Sequence, residues 1–209
     1  AGDKVVEIGP GLGSLTLGLL EVGASVEAIE IDASLAAALA DTVASFAPDT
    51  SARLLVRNVD ALHVSALETE PTLLAANLPY NISVPVLLHF LTVFPSIRSG
   101  LVLVQAEVAQ RLCAGPGSKI YGVPSAKAAW FADLTLAGSV SRNVFWPVPN
   151  VDSLLVAFTR HDNQPTGWRQ GVVSCVDAAF AQRRKTARAG SWRWLVAPQP
   201  ATGGVDPAR

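Results

Sequence analysis

The chain has few of the residues that build metal sites and disulfide frameworks. Its 209 residues include two cysteines, Cys113 and Cys175, which lie far apart in sequence, and three scattered histidines. Structural metal sites and disulfide-stapled domains need closely spaced or paired ligands, which this composition does not provide. We therefore predict free thiols in a reducing compartment and no metal site.

Long apolar runs and methionine are also missing. Half of the residues are hydrophobic, yet no apolar run approaches the roughly 20 residues of a membrane span, and no signal-peptide pattern is visible. This composition favours one sizeable domain, or one domain with a small appendage. Because there is no methionine and the chain opens at Ala1, we expect a fragment without its N-terminal segment. The Pro- and Gly-rich residues 198–209 suggest a truncated end as well.

The net charge of −1 conceals a strong asymmetry along the chain. Residues 1–110 hold four basic and 12 acidic side chains, whereas residues 111–209 hold 12 basic and five acidic ones. A basic half beside an acidic half indicates a surface that meets a polyanion. Uneven decoration of the surface is an equally good explanation of the charge alone.

Short apolar segments alternate with helical patterns along the first 105 residues. Strands are predicted at 5–8, 25–29, 53–56, 72–76 and 100–105, and helices at 14–22, 35–46 (capped by Ser34) and 84–94. This alternation predicts an α/β fold with a doubly wound, mostly parallel sheet. Two later segments, 134–140 and 154–159, predict strands that run antiparallel at the edge. We place a boundary near residue 160, beyond which residues 161–209 are basic and mostly helical.

The loop after the first predicted strand is rich in glycine. In such sheets ligands bind at the carboxyl ends of the strands, where Glu7-Ile-Gly9-Pro-Gly11-Leu-Gly13 lies. Glycines allow close approach of the backbone, and the N-terminus of the following helix favours an anionic group. The spacing differs from the dinucleotide fingerprint, since Ser14 stands where its third glycine would be. A dinucleotide-dependent oxidoreductase is therefore disfavoured.

Two carboxylates follow at the ends of the second and third strands. Glu30 can accept hydrogen bonds from both ribose hydroxyls of an adenosine. Asp60 can accept one from an adenine amine, with Val59 and Ala61 beside the ring. Glu30 alone is as well explained by a solvated surface acid.

The segment Asn77-Leu78-Pro79-Tyr80 ends the fourth predicted strand. An Asn, a carbonyl stiffened by the next proline and an aromatic ring can hold a flat ring and offer two acceptors to its exocyclic amine. Accepting both N–H bonds favours the pyramidal state in which the nitrogen lone pair can attack a methyl group. Taken alone, the segment is better explained as a proline turn with a surface tyrosine. After the glycine turn and two acids, it predicts an S-adenosylmethionine enzyme that methylates an exocyclic amine.

With these residues placed, the chain resembles the ribosomal RNA adenine dimethyltransferases. The resemblance extends from Val6 to about Arg188, over the motif segments 6–16, 77–83, 105–112, 115–122, 145–153 and 179–186. The segments Gly-Ser-Lys-Ile-Tyr-Gly and Arg-Arg-Lys-Thr favour the housekeeping, small-subunit (KsgA or RsmA) branch. The Erm branch, which modifies large-subunit RNA, is the close alternative. A non-catalytic assembly factor on the same fold is a third possibility, for which Asn77→Ala would change nothing.

The resemblance implies a Rossmann-like class I methyltransferase fold over residues 1–160 and S-adenosyl-L-methionine as cofactor. It assigns cofactor binding to Glu7, Gly9, Gly11, Gly13, Glu30, Ile31, Asp60, Ala61 and Asn77. It assigns the target base to Asn77, Leu78, Pro79, Tyr80 and Phe145, of which the last closes the other face of the ring. The cofactor-holding Gln-Asn-Phe-Leu-like motif of the family is absent from this chain.

The implied substrate is two adjacent adenosines in a hairpin loop near the 3′ end of small-subunit (16S) RNA in the pre-30S particle. Each would become N6,N6-dimethyladenosine, in the cytoplasm and through a monomeric enzyme. Residues 161–209 would then be an incomplete RNA-binding subdomain. The predicted RNA contacts are Arg111, Lys119, Arg183, Arg184, Lys185 and Arg188. A solvated basic helix is the alternative for the last four.

Overall fold

A seven-stranded sheet forms the centre of the fold in the computed structural model, which describes residues 2–79, 81–162 and 169–181. The strands, in chain order, are β1 (Lys4–Ile8), β2 (Ser25–Glu30), β3 (Leu54–Asn58), β4 (Leu73–Asn77), β5 (Ser99–Gln105), β6 (Ala132–Val140) and β7 (Ser153–Arg160). Their order across the sheet is β3-β2-β1-β4-β5-β7-β6. The predicted doubly wound α/β fold is confirmed.

Strand direction changes only near one edge of this sheet. Strands β1 to β5 are parallel, and β7 pairs antiparallel with both β5 and β6. Antiparallel pairing at this edge is therefore confirmed for β6 and β7. Strand β6 itself points in the same direction as β1 to β5, because two antiparallel steps restore the original direction.

Helices cover both faces of the sheet. They are α1 (Ser14–Glu21), α2 (Ala33–Phe46), α3 (Ser83–Val93), α4 (Ala106–Leu112) and α5 (Val123–Phe131). A sixth helix, α6 (Arg169–Phe180), follows β7 in the chain. Val5 packs with α1 and α2 in one buried cluster, whereas its neighbour Val6 packs with α3, α4 and α5 in the other. Because successive strand residues point to opposite faces, the two clusters lie on opposite sides of the sheet. No helix in the described ranges has the length and apolar character needed to cross a membrane.

The start of α2 differs from the prediction. The N-cap is Asp32, whose Oδ1 accepts hydrogen bonds from the backbone N–H groups of Ser34 (2.8 Å) and Leu35 (3.1 Å). Ser34 already lies within the helix, so the prediction that it caps α2 is wrong. A carboxylate at this position satisfies two backbone donors and complements the helix dipole.

The chain divides into two compact units, Ala1–Gln164 and Pro165–Arg209, and α6 belongs to the second. In the first unit, the chain winds from β1 to β2 and β3 on one side, then returns to place β4 on the other side of β1. The carboxyl ends of β1 and β4 therefore border a topological switch point, where such sheets bind ligands. The assignment of residues 161–209 to an RNA-binding subdomain stays a prediction.

Candidate functional site

The glycine turn after β1 depends on backbone angles that favour glycine. Gly9, Gly11 and Gly13 have φ values of +66°, +55° and +94°, in the left-handed region where a side chain is strained. The Gly9 N–H donates to the carbonyl of Ile29 (2.9 Å), and the Gly11 N–H donates to Glu30 Oε2 (3.2 Å). The turn is thus fastened to the end of β2, beside the switch point.

Gly13 also brings two helices together. It is the N-cap of α1, without a side-chain cap, and a Cβ at this position would lie 2.7 Å from Leu39 Cδ1 of α2. The absence of a side chain therefore permits the close packing of α1 against α2. Backbone N–H groups in the first turn of α1 remain as donors, a feature suited to a carboxylate ligand.

Glu30 is held at the end of β2 by backbone donors. Its Oε1 accepts from the Asp32 N–H (3.0 Å) and its Oε2 from the Gly11 N–H. A carboxylate can accept about four hydrogen bonds, so capacity for two ribose hydroxyls remains. Asn58 Nδ2 donates to the carbonyls of Glu30 (2.9 Å) and Ile31 (3.0 Å), and the Ile31 side chain is largely exposed beside them.

Asp60 caps a short 3-10 turn, Ala61–His63, that follows β3. Its Oδ1 accepts from the Leu62 N–H and its Oδ2 lies 2.9 Å from His63 Nδ1. The backbone bond from Leu62, with a smaller contribution from His63, holds the pKa of Asp60 below its usual value. Asp60 is therefore an ionised acceptor at neutral pH. The Ala61 side chain is buried in the large core cluster, which leaves only its backbone to face a ligand.

Glu7 is a buried carboxyl group beneath the glycine turn. Its side chain is 1% exposed, and Thr16 Oγ1 of α1 donates to its Oε2 at 2.7 Å. Burial raises the pKa of Glu7 to about 7, although the bond from Thr16 partly opposes this. Glu7 is therefore close to its titration midpoint at neutral pH, and a cationic ligand would favour its ionised form.

Glu7→Gln should remove a pH dependence of stability. Because the pKa of Glu7 in the folded protein (about 7) exceeds the ordinary glutamate value of 4.5, the folded protein binds the proton more tightly than the unfolded chain does. The contribution of the protonated Glu7 carboxyl to the free energy of unfolding is complete below pH 4.5 and is lost as the pH rises through 7. The free energy of unfolding, measured with urea, should be the same for the variant and the parent near pH 4.5. At pH 8 it should be larger for the variant by about 3 kcal/mol. Parallel pH profiles for the two proteins would contradict this assignment.

Four of the five residues predicted to hold the target base line one cavity, which we call the target pocket after that prediction. Asn77, Leu78, Pro79 and Phe145 line a cavity of about 520 Å³ together with the segment that follows Phe145. The Leu78 N–H donates to the carbonyl of Leu103 (3.0 Å) and the Ile82 N–H to that of Pro79 (3.2 Å), which fix the turn. Tyr80, which was also predicted here, lies outside the described residues.

A second, larger cavity of about 1150 Å³ adjoins this pocket. This glycine-turn cavity is lined by Glu7, Gly9 and Gly11 and by apolar residues of the sheet, and it shares Asn77, Phe145 and Trp146 with the first. A Cβ on Gly9 would lie 3.8 Å from the Asn77 carbonyl oxygen and 4.0 Å from Pro79 Cδ. The glycine turn and the Asn-Leu-Pro turn are therefore in contact, so a cofactor on one turn would meet a base on the other.

Not every predicted site residue joins these cavities. Glu30, Ile31, Asp60 and Ala61 are not among the residues that line either one, and Gly13 lies behind them in the helix packing. Glu30 is connected through its bond to Gly11, and Asp60 through the Val59 N–H, which donates to the Glu30 carbonyl at 3.1 Å. The site thus extends along the carboxyl ends of the parallel strands, from β1 and β4 to β2 and β3.

The predicted RNA contacts are only partly described. Arg111 lies in the last turn of α4 and pairs with Glu107 at 2.7 Å, with both side chains exposed. Lys119 is exposed in the loop between α4 and α5. Arg183, Arg184, Lys185 and Arg188 lie outside the described residues. Their contacts with RNA stay predictions.

Several residues around the site were missed from sequence. Asn58 positions the end of β2, and Glu27, fully buried in β2, pairs with Arg57 (2.9 Å) and accepts from Thr69 Oγ1 (2.7 Å). This anchors the segment after the Asp60 turn. In the sequence, the signal for Glu27 was a charged residue inside an otherwise apolar predicted strand. Trp146, at the mouth of the target pocket, lies within motif segment 145–153, but the motif assigns it no role. Among the described residues, no group of three or more side chains is arranged to hold a metal.

Glu30→Gln tests the ribose assignment while preserving size. Hydrogen bonds to a charged group contribute about 1.5–3 kcal/mol and neutral ones about 0.5–1.5, so we expect the Kd for S-adenosylmethionine to rise about 5- to 30-fold. Isothermal titration calorimetry measures this change. Glu21→Gln, on an exposed glutamate at the end of α1, is the matched control and should bind normally. Equal Kd values for S-adenosylmethionine in the two variants would contradict the assignment of Glu30 to the ribose.

Comparisons with known proteins agree with this geometry. The family model described as "Ribosomal RNA adenine dimethylase" matches residues 1–193. Ribosomal RNA small subunit methyltransferase A of Leifsonia xyli subsp. xyli is 61% identical over 190 residues, which cover 90% of this chain and 68% of that protein. A dimethyladenosine transferase from Plasmodium falciparum superposes with a TM-score of 0.77 at 26% identity, covering 90% of this chain and 67% of that one.

The 23S rRNA methyltransferase ErmE shows the same fold, with a TM-score of 0.71 at 24% identity over 92% of this chain and 76% of that one. The class I methyltransferase fold and S-adenosyl-L-methionine as methyl donor follow from the family and from the glycine turn that contacts the Asn-Leu-Pro turn. From the match over residues 1–193 and the arrangement of its motif residues, the chain belongs to the ribosomal RNA adenine dimethylase family.

Proposed function

We propose that this protein dimethylates the N6 amines of two adjacent adenosines in a hairpin loop near the 3′ end of small-subunit ribosomal RNA. The observation that carries the proposal is the pocket formed by Asn77, Leu78, Pro79 and Phe145, which shares residues with the glycine-turn cavity. The small-subunit name of the relative that is 61% identical supports this choice of RNA.

The pocket suits a weakly nucleophilic aromatic amine. The N6 lone pair of adenine is delocalised into the ring, so it attacks poorly while the amine is planar. The side-chain carbonyl of Asn77 and the backbone carbonyl of Leu78 can each accept one N–H bond and favour the pyramidal amine. Preorganised hydrogen-bonding groups of this kind stabilise charge that develops in the transition state. Pro79 and Phe145 would confine the ring.

The cofactor site fits S-adenosylmethionine, which supplies an electrophilic methyl group when bound. Gly9 would lie against its methionine part, Glu30 would accept from the ribose and Asp60 from the adenine amine. Glu7, beneath the turn, would compensate positive charge in its ionised form. The shared wall at Asn77 would bring the two ligands together and exclude water from between them.

The partner in this proposal is the immature small subunit, and an RNA substrate of that kind would place the enzyme in the cytoplasm. The predicted monomeric state stays a prediction. An Erm-type activity on large-subunit RNA is the alternative, supported by the shared fold of ErmE. The greater sequence identity to a small-subunit enzyme favours the first activity.

Transfer of labelled methyl groups to purified ribosomal subunits tests the proposal. Small and large subunits from cells that lack both modifications are incubated with the protein and labelled S-adenosylmethionine. We expect label in small-subunit RNA only. Label in large-subunit RNA would establish the Erm-type activity instead. Tight binding of small subunits without any label would support the non-catalytic assembly factor.

A further inference from the structure

Trp146 has the most exposed large hydrophobic side chain among the described residues, at 94% of its accessible surface. It lies next to Phe145 where the target pocket meets the glycine-turn cavity, and it lines both. Val144 and Val148, on the same segment, are also more than half exposed. A single exposed apolar residue needs no explanation, but a cluster of them at the mouth of a pocket indicates an interaction site.

The segment that carries Trp146 is held in place before any ligand binds. The Phe145 N–H donates to the carbonyl of Arg142 (3.2 Å), and the Arg142 guanidinium pairs with Asp152 (3.1 Å) at the far end of the segment. Pro147 and Pro149 restrict the backbone in between. A contact made by Trp146 therefore costs little additional ordering of the chain.

The aromatic rings of Phe145 and Trp146 point in different directions and can contact two different bases. Phe145 has an extended backbone (φ −102°, ψ 145°), and extended backbone directs successive side chains away from each other. Phe145 is partly buried, whereas Trp146 is open to solvent. A base held against Phe145 would leave its neighbour in the RNA strand outside the pocket, where the Trp146 ring is available.

We propose that Trp146 stacks on the nucleotide adjacent to the adenosine in the pocket. This inference rests on the proposed function, in which two neighbouring adenosines are modified and one always lies beside the pocket while the other reacts. Single-stranded RNA is recognised by stacking of unpaired bases on aromatic side chains. Trp146 is thus a positioning residue that helps the enzyme retain the second adenosine.

The test uses a hairpin RNA with two adjacent loop adenosines, one of which is replaced by fluorescent 2-aminopurine. Trp146→Ala should raise the Kd for this RNA about 5- to 150-fold, the range expected for loss of one base stack. It should also abolish quenching of the 2-aminopurine, whereas Trp146→Phe should restore much of both. Trp146 also lines the glycine-turn cavity, but because its side chain is 94% exposed, the Kd for S-adenosylmethionine should change far less than the Kd for RNA. Phe46→Ala, on an exposed aromatic at the other end of α2 from Asp32, should behave like the parent.

The outcomes separate this inference from the proposed function. If the parent methylates the hairpin and Trp146→Ala binds it equally well, the stacking contact is wrong. If Trp146→Ala weakens binding of S-adenosylmethionine and not of RNA, Trp146 acts through the glycine-turn cavity, which it also lines, and the stacking contact is wrong. If the parent binds the hairpin in a Trp146-dependent way but methylates no adenosine, stacking stands and the proposed function fails.

Discussion

Asn77→Ala should lower kcat for methyl transfer by about 10²- to 10³-fold, the cost of removing one preorganised hydrogen-bonding group aimed at developing charge. Asn77 ends β4, its side chain is exposed, and it lines both the target pocket and the glycine-turn cavity. Without its carbonyl the target amine keeps one acceptor, the Leu78 backbone, and the planar ground state is no longer disfavoured. Steady-state kinetics with RNA and S-adenosylmethionine varied in turn would measure the change.

Asn143→Ala is the matched control for Asn77. Asn143 is an exposed asparagine in the 3-10 turn just before Phe145, so its replacement tests surface change near the pocket without removing an acceptor. We expect kcat close to that of the parent. Unchanged kcat in Asn77→Ala would contradict the proposed mechanism and favour the non-catalytic assembly factor.

Gly100→Ala should destabilise the fold by at least about 3 kcal/mol, at the upper end of typical overpacking penalties. Gly100 lies in β5, paired with Leu74 on one side and Phe158 on the other. A Cβ here would collide with the Leu74 carbonyl oxygen and lie 2.5 Å from Phe158 Cε1. Phe158 is buried in the core and Leu74 would clash through its backbone, so neither can yield cheaply. Urea unfolding would measure the loss.

Gly18→Ala provides the control for Gly100. Gly18 lies within α1, where an added Cβ would meet nothing within 4 Å. Alanine is favoured over glycine in a helix by about 0.5–1 kcal/mol, so this variant should be as stable as the parent or slightly more so. Equal unfolding free energies for the two alanine variants would show that β5 can move away from β7, contrary to the packing described here.

The sequence predicted the parts of the fold that depend on local pattern. The first five strands and the helices α1 to α3 were predicted to within two residues, because apolar runs and punctuating Gly and Pro residues mark them. Helices α4 and α5 were not predicted, since their apolar residues have weak periodicity and their burial depends on packing against α3 and β7. The direction of β6 likewise depends on where β7 inserts, which no local pattern records.

The site was predictable where a short motif carries its own chemistry. Gly9, Asn77 and Pro79 were placed together because their segments follow strands that are neighbours in a doubly wound sheet. The supporting contacts could not be found this way. Glu27 and Thr69 are 42 residues apart in the chain, and Asn58 acts on carbonyls 27 and 28 residues away. Such partners become evident only when the strands are in register.

The raised pKa of Glu7 illustrates the same limit. A glutamate inside a predicted strand was noted as a cofactor residue, but the shift to about 7 depends on burial beneath the glycine turn and on the Thr16 hydroxyl. Neither the depth of burial nor the bond from α1 follows from the spacing of the motif. The physical cause is desolvation, a property of the assembled structure.

Identification of the modified nucleoside tests the central claim most directly. Small-subunit RNA treated with the protein and S-adenosylmethionine is digested to nucleosides, analysed by mass spectrometry and mapped by nuclease fragments. We predict N6,N6-dimethyladenosine at two adjacent positions of one hairpin loop near the 3′ end, and none after treatment with Asn77→Ala. Methyl groups on a different base, on ribose or at scattered adenosines would contradict the pocket chemistry derived from Asn77, Pro79 and Phe145.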